Sequence, residues 1–247
     1  MRILIVGASG RVGSLLVPMW DGEHEVVPAD VRPMDHPGFV ALDVCELDAV
    51  RAAMAGVDCV VHLSIARSED LGHGTAEYAK GAFDVHVKGV YNALRAAHEA
   101  GGKRVLYASS VSCVSHYPPH ELVTSDHRPD GGGVYGITKG FGEELCRIFH
   151  RDSRLPVVVL RLGHVYIEAH GGKRGPVADH VLVHGSDVAG AFDTVLKSPF
   201  PPYAVIHVVG DAVPRRWDLE TGARLYGWRP KVRFLPGGTP DPDTLPG

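Results

Sequence analysis

The chain has no C-x-x-C pair, no long apolar run and no block of like charge. Its four cysteines, Cys45, Cys59, Cys113 and Cys146, are scattered. That spacing supports neither a zinc site nor a disulfide framework, and a reducing, cytoplasmic location is expected. No apolar stretch approaches the ~20 residues that a membrane-spanning helix requires. Met1 leads directly into Arg2-Ile3-Leu4-Ile5-Val6, which reads as a strand rather than a leader peptide, so no membrane attachment is expected. The 25 basic and 29 acidic residues leave a net charge of −4. With no basic run to track a phosphate backbone, nucleic acid is not an expected partner. Histidine is abundant, at 15 residues, yet no His-x-x-x-His falls on a helix and His116, His120 and His127 lie in a loop, so no metal site is expected. No internal repeat is present.

The 247 residues, 45% of them hydrophobic, are enough for one well-buried α/β domain and too few for two full ones. Short β-branched runs, Ile3 to Val6, Glu25 to Pro28, Cys59 to Leu63, Val105 to Ala108 and Val157 to Leu160, alternate with helical stretches. The alternation predicts βαβ units and a parallel sheet. Apolar or small residues at Ala79, Ala82, Phe83, Val87, Val90, Leu94 and Ala97 predict one long crossover helix from Thr75 to Ala100, ending at Gly101-Gly102. A second helix is expected over Tyr135 to Arg151. Between them, Ser115 to Gly133 reads as a loop too polar for the core. After Arg161 the periodicity weakens, with a helix expected from Ser186 to Lys197 and a strand from Val205 to Val209.

Strand Ile3 to Val6 runs into Gly7-Ala8-Ser9-Gly10-Arg11-Val12-Gly13 and then helical residues, giving G-x-x-G-x-x-G in a strand-turn-helix context. Glycines permit a tight turn with close backbone approach, and the following helix start offers N–H groups to a pyrophosphate. The next strand ends at Asp30, where a carboxylate can accept bonds from ribose hydroxyls and repel a 2′-phosphate. NAD is therefore the expected cofactor, held by Gly7, Ser9, Gly10, Arg11, Val12 and Asp30. Arg32 keeps NADP open, since it could meet a 2′-phosphate if Asp30 turned away. The fold expected is α/β, a Rossmann-type doubly wound parallel sheet with a small C-terminal substrate-covering annex. Residues 1–161 would form the cofactor-binding core, 162–184 and 211–235 the annex, and 236–247 a flexible tail.

Tyr135 and Lys139 stand four residues apart, on one face of a helix. A phenol with a pKa near ~10 is a poor base at neutral pH, and a neighbouring cation favours its phenolate. Strand Val105 to Ala108 ends at Ser109-Ser110, at the carboxyl edge where doubly wound sheets place ligands, so Ser110 can hold a reacting oxygen.

These motifs, in this order, resemble the extended short-chain dehydrogenase/reductase family, also called the NAD-dependent epimerase/dehydratase family, over about residues 1 to 210. The resemblance adds Asp43-Val44 facing the adenine, Leu63 and Ser64 beside the cofactor, Leu160-Arg161, and His184 to Ala189 as a helix start. It implies that Tyr135 and Lys139 also touch the cofactor. Within the family the chain looks most like uronate dehydrogenases, through Ala108-Ser109-Ser110, Tyr117-Pro118-Pro119, Arg128 to Gly131 and Phe141-Gly142-Glu143. It departs from them at three places. Val111-Ser112 replaces the Asn-His that follows the serine, His86 replaces an asparagine of the crossover helix, and His164 replaces a short polar residue. Substrate contacts are expected from Ser110, Ser112, His164 and Arg174; Lys173-Arg174 would clamp a carboxylate or, alternatively, stand as solvated cations, and Arg67 is a second anion contact to weigh.

The resemblance implies an NAD-dependent dehydrogenase oxidising a small hydroxylated substrate such as a hexuronic acid or an aldose, in a homodimer built on the two long helices. Two alternatives use the same residues differently: an epimerase or reductase that retains its cofactor, and a non-catalytic dinucleotide-sensing protein.

Overall fold

The computed structural model describes residues 1–72, 74–101, 103–171, 181–212 and 215–246. The first half alternates as expected: β1 (Arg2–Val6), α1 (Gly13–Trp20), β2 (Glu25–Asp30), β3 (Val40–Ala41), α2 (Leu47–Ala53) and β4 (Cys59–His62). A short α3 (Ser68–Leu71) precedes the crossover, which comprises α4 (Ala76–Phe83), a π-helical turn over Asp84–Lys88, and α5 (Gly89–Glu99). Then come β5 (Arg104–Ser110), α6 (Gly133–Ser153), β6 (Val157–Leu162), β7 (His164–Tyr166), β8 (Leu182–His184), α7 (Gly185–Lys197), β9 (Tyr203–Val208), α8 (Glu220–Tyr226), β10 (Phe234–Leu235) and β11 (Thr239–Pro240).

Seven strands pair in the order β3-β2-β1-β4-β5-β6-β9, every neighbour parallel. From β1 the chain winds one way to β2 and β3, then reverses to β4 on the other side. The crevice at the carboxyl ends of β1 and β4 is thus the topological switch point of a Rossmann-type sheet, where such folds take ligands. Register fixes what meets there: Val6 pairs with His62, and His62 with Tyr107.

Both faces of the sheet are covered, which is why its strands read as continuous apolar runs rather than alternating ones. Ile3 and Ile5 pack with Leu16, Trp20 and Phe192 on one side. Leu4 and Val6 pack with Val50, Val90 and Leu94 on the other. Trp20 is fully buried and donates Nε1–H to Asp193 at 2.9 Å, clamping α1 to α7. Local chemistry sets the helix ends. Thr75 caps α4 by accepting from the Tyr78 N–H at 3.1 Å, Gly101 takes φ +96° where the crossover stops, and Arg154 adopts φ +60° beyond α6, ahead of Pro156.

The region after β6 is divided between the main sheet, which β9 joins beside β6, and a small separate pairing. β7 pairs in parallel with β8, and Asp187 of α7 accepts from the Lys231 and Val232 N–H groups at 2.8 and 3.0 Å. One expectation changes. The loop expected to be too polar for the core buries Val123 completely, because Val123 bridges to Trp217 and both join the main cluster. Near the C-terminus, β11 pairs antiparallel with β10, and Asp241 N–H reaches Arg233 O at 2.8 Å. Gly237 and Gly238, at φ +91° and +78°, make that reversal possible. Among the described residues no helix is long and apolar enough to cross a membrane.

Candidate active site

The glycine turn sits hard against the end of β4. Gly7 has φ +91°, and a Cβ there would lie 2.6 Å from the Ser64 nitrogen. One on Gly13 would lie 2.1 Å from the Ala8 carbonyl oxygen. Neither position admits a side chain, so the turn and the Leu63-Ser64 segment form one continuous backbone surface. Leu63 N–H extends the sheet by donating to Val6 O at 2.8 Å.

Asp30, nearly buried at the end of β2, is held by two backbone groups: Ser9 N–H at 3.0 Å and Arg32 N–H at 2.9 Å. Ser9 Oγ donates to Arg32 O at 2.8 Å, and Arg32 Nη2 donates to Ser9 O at 2.9 Å. The Arg32 Nε lies 3.9 Å from Asp30 Oδ1. The carboxylate is therefore fixed in place and has not turned away. Arg11 donates to Val165 O at 2.8 Å, tying the glycine turn to β7. Exposed Asp43 caps its own turn through Cys45 N–H at 2.9 Å, while buried Val44 gives its carbonyl to Asn92 Nδ2 at 2.9 Å.

At the end of β5, Ser110 is buried. Ser110 Oγ donates to Ser112 Oγ at 3.2 Å and accepts from Ser112 N–H at 3.2 Å. Burial pushes the Tyr135 phenol up to about 12, with the Ser110 hydroxyl acting in the opposite direction. Lys139 is buried. Its Nζ donates to Ala108 O at 2.7 Å and lies 5.2 Å from the Tyr107 ring centroid and 5.9 Å from that of Tyr135. Burial lowers Lys139 to about 8. In this structure the Lys139 ammonium donates to a backbone carbonyl, and burial dominates the Tyr135 phenol.

The structure brings Ser110, Ser112, Tyr135 and Lys139 together on the same carboxyl edge as Gly7, Ser9 and Asp30. His164 begins β7, directly after β6, and is half-buried. Lys173 and Arg174 lie outside the described residues. Arg67 is occupied by Glu69 and Asp70 at 3.8 and 3.4 Å. No group of three histidine, cysteine, aspartate or glutamate side chains among the described residues is arranged to hold a metal.

Sequence reading missed the network behind Ser110. Arg161 and Glu143 form a buried pair, Nη2 to Oε2 at 2.8 Å, to which Ser109 Oγ donates at 2.5 Å and Cys113 Sγ at 3.1 Å. Arg161 also donates to His127 O at 2.8 Å, so one ion pair anchors β5, β6, α6 and the 115–132 loop. Both residues lie in segments that carry the family resemblance, but nothing in their spacing pairs them. Removing one partner strands the other in the core, which typically costs ~3–5 kcal/mol. Arg161→Met is expected to lose about that much in urea denaturation, and the double variant Arg161→Met/Glu143→Met to recover most of it; a single variant as stable as the parent would contradict this account.

Against known proteins, residues 3–182 match the model of the NAD dependent epimerase/dehydratase family. The chain is 27% identical to a uronate dehydrogenase of Agrobacterium fabrum, over 98% of this chain and 91% of that protein. It is 31% identical to an L-arabinose 1-dehydrogenase (NAD(P)(+)) of Haloferax volcanii, over 66% of each. A mutant uronate dehydrogenase from Agrobacterium tumefaciens, solved in complex with NAD, has the same fold, with a TM-score of 0.78 and 24% identity over 93% of this chain and 84% of that one.

Proposed function

Because the chain belongs to the NAD dependent epimerase/dehydratase family, we propose that it is an NAD-dependent dehydrogenase acting on a small hydroxylated sugar, a hexuronic acid or an aldose. The observation that carries this reading is the placement of Ser110 at the end of β5 with Tyr135 and Lys139 on α6, the Lys139 ammonium reaching the Ala108 carbonyl of the same strand and lying 5.9 Å from the Tyr135 ring centroid. The relatives that act on uronates and L-arabinose support the substrate class.

The residues fit the cofactor. The side-chain-free surface at Gly7 suits a pyrophosphate, and the pinned Asp30 carboxylate keeps lone pairs for ribose hydroxyls while opposing a 2′-phosphate, which favours NAD over NADP. Gly10, Arg11, Val12, Asp43, Val44, Leu63 and Ser64 complete the proposed contact set. When bound, the nicotinamide supplies the acceptor for two electrons and a hydrogen. Ser110 then holds the substrate hydroxyl, and Tyr135, as phenolate, takes its proton. Lys139 would hold the nicotinamide ribose and favour the phenolate of Tyr135. Ser112, His164 and Arg174 are the proposed substrate contacts, with the Arg174 guanidinium suited to a carboxylate.

The test is absorbance at 340 nm with NAD and a panel of free uronates, aldoses and polyols, NADP run in parallel. Steady NADH formation with one of the sugars is expected. No turnover across the panel by protein that demonstrably binds NAD would refute the dehydrogenase assignment.

The protein is further proposed to be a cytoplasmic homodimer. Phe83, Tyr91, Ile137 and Phe141 are 39–48% exposed on α4, α5 and α6, and the Phe83 and Phe141 rings meet at 6.1 Å. That apolar stripe suits a second copy of the same two helices. Light scattering is expected to report a dimer for the parent and a monomer for Phe141→Glu; a monomeric parent would contradict it.

A further inference from the structure

Midway along the crossover helix, the hydrogen-bond ladder widens into the π-helical turn over Asp84–Lys88, and His86 within it is fully buried. A π turn sacrifices regular helical bonding and re-aims a side chain away from its helical stripe, and it is frequent at functional sites. Here the re-aimed ring reaches two other elements at once. Its Nε2 accepts from Ala66 N–H at 2.9 Å, which assigns the single ring proton of a neutral imidazole to Nδ1. Nδ1–H then donates to Thr138 Oγ1 at 2.8 Å, and Thr138 passes its own hydrogen to Val134 O at 2.8 Å. The whole chain of bonds runs in one direction. The ring also meets Tyr135 edge-on, centroids 5.5 Å apart at 87°.

Burial holds His86 down to about 2, with Lys139 and His62 adding to the effect. Both nitrogens are committed, so the ring has no site for a travelling proton and is no acid or base. What it joins is informative. Ala66 follows the Leu63-Ser64 segment that packs against Gly7. Thr138 lies between Tyr135 and Lys139 on α6. We propose that His86 is a positioning residue that fixes the cofactor-facing segment after β4 relative to the Tyr135–Lys139 face of α6, through an imidazole locked in one tautomer. This inference rests on the dehydrogenase reading for its kinetic consequence but not for the state of the ring.

Three variants separate the bonds from the packing. His86→Phe keeps a ring against Tyr135 and loses both bonds. His86→Asn places an amide near Nδ1, retaining the Thr138 partner, and His86→Gln places one near Nε2, retaining Ala66. Misplacement of reacting groups by about an ångström can lower turnover by ~100-fold. His86→Phe is accordingly expected to reduce kcat roughly 10- to 100-fold with KM for NAD within about threefold, and the two amide variants to fall between it and the parent. A folded His86→Phe with parental kcat, or a loss that appears only in KM, would overturn the proposal.

The pH profile separates positioning from acid–base work, given that Tyr135 and Lys139 of α6 and His62 of β4 face the ring. Its shape above pH 5 is expected to be the same in parent and His86→Gln, and a limb lost in the variant would overturn the proposal. Imidazole nitrogen NMR of the holoenzyme needs no substrate: an Nδ1–H tautomer that does not titrate between pH 5 and 9 is expected. A titrating ring or an Nε2–H tautomer would overturn the inference while leaving the dehydrogenase reading standing; absent sugar turnover would defeat that reading while leaving the NMR result to judge the brace.

Discussion

Tyr135→Phe is expected to lower the rate of NAD reduction by roughly 10²- to 10⁴-fold, the range associated with loss of a positioned proton-transfer group. NAD affinity should stay within about threefold, because a single hydroxyl is a small part of a contact set spread over the glycine turn and Asp30. Turnover at 340 nm and calorimetric NAD binding give the two readouts. The sign of the pH dependence follows from the same atoms. Burial raises the Tyr135 phenol to about 12, so its basic form becomes more abundant as pH rises, and oxidation by the parent should accelerate from neutral into alkaline pH. In the Phe variant that acceleration should vanish. Parental turnover in Tyr135→Phe would remove the tyrosine from the mechanism.

The second large effect concerns stability. His62, His86 and His207 are buried to within 1% exposure, and burial lowers them to about 3, 2 and 3. Unfolded, each would titrate near ~6.5. With folded values below the unfolded ones, the unfolded state binds more protons between those limits. The stabilising contribution is therefore full above about pH 6.5 and is lost as pH falls toward 3. At about 1.4 kcal/mol per pH unit for each group, the three together forfeit on the order of 6 kcal/mol by pH 5, comparable with the whole stability of many domains. Urea midpoints should fall steeply from pH 7 to 5, before most carboxylates titrate. A midpoint flat across that interval would show that these histidines are not buried as neutral groups.

How much of this was legible in the sequence depends on how local the determinant is. The glycine turn, Asp30 and the Tyr135–Lys139 pair declare themselves because spacing along one turn or one helix fixes their geometry. The sheet order follows from the alternation of strands and helices together with the family resemblance. The two-residue β3 is too short to show a period of its own, and only the family resemblance implies a strand before Asp43. The π turn escaped because it changes helical phase by one residue without altering composition, leaving His86 visible only as a departure from the resemblance. Val123 reads as one apolar residue in a polar loop, and only its bridge to Trp217, far along the chain, takes it into the core. Glu143 and Arg161 are 18 positions apart and meet solely through tertiary packing. Lys139 shows the limit of chemical inference from spacing: position i+4 put it on the correct face, but its proton acceptor here is the Ala108 carbonyl.

The dehydrogenase assignment is decided by the fate of one labelled hydrogen. The protein would be incubated with NAD and galacturonate or glucuronate deuterated at C1, the carbon whose oxidation yields a lactone, and the nicotinamide analysed by mass spectrometry. NADH carrying one deuterium for each sugar oxidised is expected. Unlabelled nicotinamide with the sugar recovered unchanged or epimerised would contradict it.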